Sequence, residues 1–219
     1  MKALLASIVA IGLIALVPGV SASPIKRILV FGDSLSDGYG LKRSQAYPAL
    51  LAAKLDAASL HHQVINSSAT GDTTDSGLRR LPPHLKRNSD SRREQRIDIL
   101  ILELGINDAF RGVPVDEIRK NLQAIIDQVK ARNPRLGIII CGMHLSNYAA
   151  EDYVSAFGQM YVDLAVKNHA ALVPYLLDGV AGDPLLNLPD HIHPNAAGQK
   201  ILAENLWRVL EPIARAAAL

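Results

Sequence analysis

Two segments constrain this chain more than anything else in it. Asp98–Leu104 and Gly137–Gly142 are nearly continuous apolar runs, rich in β-branched residues. A strand with one wet face alternates apolar and polar residues. A strand without alternation is buried on both faces, which calls for a parallel sheet covered on each side by helices. Three further apolar segments have strand length: Ile28–Phe31, Gln63–Asn66 and Ala171–Leu176. Helical patterns lie between and after them. Tyr47–Ala58 carries Leu50, Leu51 and Leu55. Asp116–Arg132 carries Ile118, Leu122, Ile125, Ile126 and Val129, with Pro114 near its start and Asn133-Pro134 after it. Glu151–Asn168 carries Val154, Phe157, Tyr161, Leu164 and Ala165, and a last helix is expected from Pro194 to Arg215. Alternation of this kind predicts a three-layer α/β fold, a five-stranded parallel sheet with helices on both faces. Ligands of such sheets bind at the carboxyl ends of the strands.

The amino-terminal 22 residues stand apart from that pattern. Lys2 precedes the apolar run Ala3–Val17, followed by Pro18-Gly19 and the small residues Val20-Ser21-Ala22. This is the layout of a secretory signal peptide cleaved after Ala22. A retained anchor is the alternative, but the run is short against the roughly 20 residues that span a bilayer. Residues 23–219 are then expected to form one domain, large enough to bury a core without covalent staples. The lone cysteine, Cys141, sits inside an apolar strand and reads as a small buried hydrophobe. The net charge of +2, and +1 without Lys2, gives no electrostatic case for nucleic acid or an anionic membrane. Lys86–Arg96 is densely charged and reads as a solvated loop, with a basic docking patch as the alternative.

Four polar clusters carry the chemistry. Directly after the first strand comes Gly32-Asp33-Ser34-Leu35-Ser36, where Ser34 is either an exposed nucleophile or the cap of a helix. After the second strand, Gly71 is either a plain turn or a bare backbone that can bring its N–H to a ligand. Asp72 or Thr73 is placed to cap a helix there. After the third strand, Asn107 offers an amide where an oxyanion would sit, or else satisfies its own loop. Asp108 is then structural. The fourth cluster is Asp190-His191-Ile192-His193-Pro194. Three-residue spacing lets Asp190 reach Nδ1 of His193 while Nε2 faces a serine. His191 is the competing base, and a metal site built from Asp190, His191 and His193 lacks a fourth ligand at motif spacing.

With these clusters in order along the chain, the sequence resembles the SGNH (GDSL) hydrolase superfamily, within it the periplasmic arylesterase, acyl-CoA thioesterase and lysophospholipase group. Ser34, Gly71, Asn107 and His193 match the four residues of the superfamily's name. The segments Leu104–Gly112 and Gly142–Tyr148 also resemble loops of that group. The resemblance implies a flavodoxin-like sheet, a Ser34–His193–Asp190 triad, and no metal or organic cofactor. It also implies an oxyanion hole from the Ser34 N–H, the Gly71 N–H and the Asn107 side chain. The expected substrate is a small-molecule ester or thioester, with no nucleic-acid partner and no stable membrane insertion after cleavage of the leader. Phe110, Val113 and Tyr148 are candidates for the wall that receives an acyl or aryl group. Two other readings differ in kind: a polysaccharide O-deacetylase, and a secreted binding module without activity.

Overall fold

The computed structural model describes residues 25–85, 96–145 and 149–218. The expected leader, Tyr148 and all but Arg96 of the charged Lys86–Arg96 segment lie outside the described residues. Among those described, no helix is long and apolar enough to cross a membrane.

Five strands form one sheet: β1 (Lys26–Gly32), β2 (His62–Asn66), β3 (Ile99–Glu103), β4 (Gly137–Cys141) and β5 (Ala171–Val173). Every pairing is parallel, in the order β2-β1-β3-β4-β5. The two continuous apolar runs take interior places, as their lack of alternation demands. β3 is buried at every position, and so are Ile138 to Cys141 of β4. β5 is shorter than the apolar run that announced it, because Pro174 has no N–H to continue the ladder.

The expected helices appear as α2 (Tyr47–Ala57), α5 (Val115–Arg132), α6 (Glu151–Asn168) and α7 (Ala196–Ala218). Three others are brief: α1 (Ser34–Asp37) and α3 (Thr74–Arg80), legible only through their candidate caps, and α4 (Ile106–Phe110), which no sequence signal announces. Each follows one of the first three strands. All five apolar residues expected on the inner face of α5 are buried. On α2 and α6, Leu50 and Val154 are only half-buried, while Leu51, Leu55, Phe157, Tyr161, Leu164 and Ala165 are buried. α2 packs with α7, and α5 packs with α3 and α6, giving the covering of the two sheet faces. α7 starts two residues later than expected. Asn195 caps it, its Oδ1 accepting from the Ala197 and Gly198 amides at 2.9 and 3.1 Å. Pro194 instead bridges Asn187 in the preceding loop.

Strand order 2-1-3-4-5 reverses direction between β1 and β3, and the crevice at that switch point is where such sheets bind ligands. Gln199 of α7 ties the distant C-terminal loop to this point. Its Oε1 accepts from the Tyr47 amide at 2.7 Å, and its Nε2 donates to the Leu35 carbonyl at 3.1 Å. Gln199 is buried, so both backbone groups depend on it. Replacing Gln199 by Leu should cost about 1–3 kcal/mol for each group left without a partner. For a chain of this size that lowers Tm by about 2–4 °C per kcal/mol. An unchanged urea midpoint for Gln199→Leu would contradict this account of how α7 is held.

Candidate active site

The carboxyl ends of β1, β2 and β3 deliver the first three polar clusters to one place. β1 and β3 end flush, with Gly32 the register partner of Glu103. A side chain on Gly32 would collide with Ser36 Oγ and the Glu103 carboxyl, so the close approach of the two strand ends requires glycine. Ser34 then opens α1. It is not the helix cap: Asp33 is, its Oδ1 accepting the Leu35 amide at 3.1 Å. Ser34 is 7% exposed, with its hydroxyl turned to the loop before α7.

That loop supplies a continuous hydrogen-bonded relay. Asp190 Oδ2 lies 2.7 Å from His193 Nδ1, and His193 Nε2 lies 3.0 Å from Ser34 Oγ. The spacing of three works because Asp190 Oδ1 also accepts the Ile192 and His193 amides, at 2.9 and 3.0 Å, curling the chain into a turn. Burial alone would raise the Asp190 pKa. The His193 amide and ring and the Ile192 amide outweigh it, and hold Asp190 down from 3.8 to about 2. An ionised Asp190 only accepts, so Nδ1 of the ring carries hydrogen. In the neutral ring Nε2 is then free to accept the Ser34 hydroxyl proton. His191 takes no part: it is exposed and turns the backbone at φ 60°. Its amide donates to the Leu188 carbonyl at 2.9 Å. The Tyr39 ring lies against the His193 ring, centroids 4.4 Å apart. Among the described residues no group of three or more His, Cys, Asp or Glu is arranged to hold a metal ion.

The oxyanion candidates are adjacent but unequal. Gly71 has φ 82° and open space where a Cβ would stand, so backbone conformation, not crowding, explains the glycine. Its carbonyl accepts from Arg111 Nη2 at 3.2 Å. Asn107 Nδ2 reaches two acceptors, Asp33 Oδ2 at 3.1 Å and the Asp72 carbonyl at 2.9 Å. Asp108 is structural, as expected: its oxygens accept from the Thr74 amide at 2.8 Å and hydroxyl at 2.6 Å, joining α4 to α3. Thr73, not Asp72, caps α3, in a reciprocal pair with Ser76. Of the candidate wall residues, Phe110 is 55% exposed and Val113 half-buried against the core.

Sequence reading missed two residues that build the site. Glu103 is a fully buried carboxyl at the end of β3. Arg80 of α3 pairs with Asp72 and donates to the Ser67 and Gly32 carbonyls. It also covers the Phe31 ring at 3.9 Å. It fastens the ends of β1 and β2 to the Gly71 turn. A charge inside an otherwise apolar strand was the visible sign of the first. An arginine on α3 gave no local sign of the second.

Residues 30–201 match the GDSL-like Lipase/Acylhydrolase family. The chain belongs to that family. Esterase TesA of Pseudomonas aeruginosa is 34% identical over 97% of this chain and 100% of its own. Thioesterase 1/protease 1/lysophospholipase L1 of Escherichia coli K12 is 32% identical over 88% and 86%. An arylesterase of Vibrio mimicus is 33% identical over 82% and 85%. The crystal structure of TesA superposes with a TM-score of 0.77, covering 86% of this chain and 99% of that one. The protein is thus an SGNH-type carboxylic ester hydrolase on the expected flavodoxin-like frame.

The relay makes one prediction about stability. Because Asp190 is acidified on folding, its contribution is present above about pH 4 and vanishes as pH falls through about 2. The stability difference between the wild type and Asp190→Asn, measured by urea unfolding, should therefore close as the medium is acidified through that window. A gap independent of pH would mean that the Asp190 charge contributes nothing to the fold.

Proposed function

We propose that Ser34 is the nucleophile of an acyl-enzyme mechanism, with His193 as base and Asp190 fixing its tautomer. The observation that carries the reading is the unbroken path Asp190–His193–Ser34, with contacts of 2.7 and 3.0 Å. Ser34 Oγ attacks the acyl carbonyl as its proton passes to Nε2. The negative charge arising on the carbonyl oxygen is received by the Ser34 and Gly71 amides and the Asn107 side chain. His193 then protonates the departing alcohol or thiol. Water, activated by the same ring, releases the acid.

The substrate range follows from how open the site is. Tyr39 and Ile192 lie on the loops that carry the relay, and Phe110 ends α4, the helix that carries Asn107; all three are large apolar side chains left exposed. They favour acyl and aryl esters, and extend to acyl thioesters and lysophospholipids, the classes named for the relatives. A polysaccharide O-deacetylase would present polar sugar-binding groups at these places. The leader-like residues 1–22 support export and a periplasmic site of action.

Ser34→Ala should lose all labelling by a fluorophosphonate probe, and labelling that persists at another serine overturns the assignment. Asn107→Ala should lower kcat by about 10²–10³, the loss expected for one oxyanion donor. A panel varying acyl length and leaving group should show aryl and medium-chain esters turned over faster than acetylated sugars.

A further inference from the structure

Two carboxyl groups stand together behind the nucleophile that the proposed steps leave unused. Asp33 and Glu103 are both 0% exposed. They meet because Gly32 and Glu103 are register partners, and Glu103 Oε2 accepts the Asp33 amide at 3.2 Å, which brings the two residues together. Three of their four oxygens are accounted for. Asp33 Oδ1 accepts the Leu35 amide at 3.1 Å and lies 3.5 Å from Ser34 Oγ. Asp33 Oδ2 accepts from Asn107 Nδ2 at 3.1 Å. Glu103 Oε2 accepts the Ser36 hydroxyl at 2.6 Å and the Asp33 amide at 3.2 Å. The fourth, Glu103 Oε1, is buried with no partner among the described residues. A buried carboxylate oxygen without a donor is costly, whereas an acid O–H can use the neighbouring carboxylate.

Among the described residues no cation offsets the pair. The groups that face it are Tyr47 from α2 (its hydroxyl 2.5 Å from Ser36 Oγ), Tyr161 from α6, Cys141 from β4 and Asp72 from the loop after β2. All are neutral or acidic. Arg80 gives its charge to Asp72 and bonds the Gly32 carbonyl, not either carboxyl. Two adjacent like charges in a dry site cannot both be ionised cheaply.

We propose that Asp33 and Glu103 hold a single proton between them, carried by Glu103, and that the resulting acid–carboxylate pair positions the Asn107 amide for the reaction. Asp33 is a positioning residue here, acting through Asn107. As an acid Glu103 donates to Asp33. Asp33 remains a carboxylate and holds the Leu35 and Asn107 N–H groups, one on each of its oxygens. The Asp72 carbonyl fixes the other edge of the amide at 2.9 Å. When the oxyanion forms, one N–H is shared between it and its resting acceptor. The directions of titration agree: burial pushes Asp33 up to about 7 and Glu103 well above the carboxylate range. The positioning role rests on the reading of Asn107 as an oxyanion donor.

The two halves are tested separately. For the proton, the difference infrared spectrum of wild type minus Glu103→Gln is recorded at mildly alkaline pH, where exposed carboxyls are ionised. A carboxylic-acid C=O stretch is expected in it; a carboxylate band alone overturns the shared proton. Glu103→Gln keeps a neutral donor to Asp33, so the reference protein retains the geometry of the pair. For positioning, Asp33→Asn sets an amide N–H against the Asn107 N–H and should lower kcat by about 10²–10³, as Asn107→Ala does, with KM little changed. The double variant should be no slower than either single one, the non-additivity of residues acting as one unit. If the two effects multiply, or Asp33→Asn alone is harmless, Asp33 does not act through Asn107. If Asn107→Ala is itself harmless, the oxyanion reading fails and the positioning role with it. The infrared band needs no Asp33 variant, so it decides the shared proton even if Asp33→Asn does not fold.

Discussion

The pairing of Gly32 with Glu103 at the carboxyl ends of β1 and β3 is the contact on which the rest of the site depends. It sits at the one place in the sheet where strand order reverses, so loops diverge there and leave a crevice. Because position 32 has no side chain, the two strand ends can close until Ser36, Asp33 and Glu103 share a single cluster. Ser34 inherits its place from that closure. A larger residue at 32 would push β1 and β3 apart and separate Ser34 from Asn107 even if every side chain of the relay remained.

Such an edge is held against a considerable desolvation cost. Asp33, Ser36, Thr74, Glu103 and Asp108 are all buried, and each takes part in side-chain hydrogen bonds that cross between elements. Individually such bonds contribute little net stability, but breaking one strands its partner in a dry environment. The apolar strands beneath supply the driving force. The polar layer above restricts how the loops sit, which is the requirement for donors aimed at a charge that exists only in transit. Arg80 shows the same economy: one guanidinium binds two strand-end carbonyls and an aspartate, and its face covers Phe31.

Local physics made the frame legible. Unbroken apolar runs named the interior strands, and five apolar residues at helical spacing named the buried face of α5. Asp190 and His193 were legible because their pairing is a matter of three residues within one turn. The residues that escaped notice act across large sequence separations. Gln199 joins α7 to Leu35 and Tyr47, and Arg80 reaches back to Gly32. Neither has a periodic or motif signature, since the groups they serve are backbone atoms whose need for a partner appears only after folding. Of the short helices only the candidate caps of α1 and α3 were legible, and α4 not at all, for a related reason. With four, seven and five residues they are too short for a hydrophobic period and are set by their caps and tertiary neighbours.

The site is buried on one side and open on the other, and the asymmetry bears on what it can hydrolyse. The groups behind Ser34 are sealed in the sheet edge, whereas the Asp190 side chain is 34% exposed and the His193 side chain 20%. In the proposed mechanism the developing oxyanion is met by fixed donors, while the leaving group departs past His193 towards solvent. On that open side it meets Tyr39, against the imidazole, and Ile192 next to it in sequence. An apolar, solvent-facing exit imposes no hydrogen-bond requirement on the departing group, and a site that demands none discriminates weakly among alcohols, phenols and thiols. In that mechanism selectivity comes from the acyl side, where Phe110 ends the helix α4 that carries Asn107 and Val113 follows it. The strict geometry serves the carbonyl common to every ester, and the permissive surface serves the part that differs.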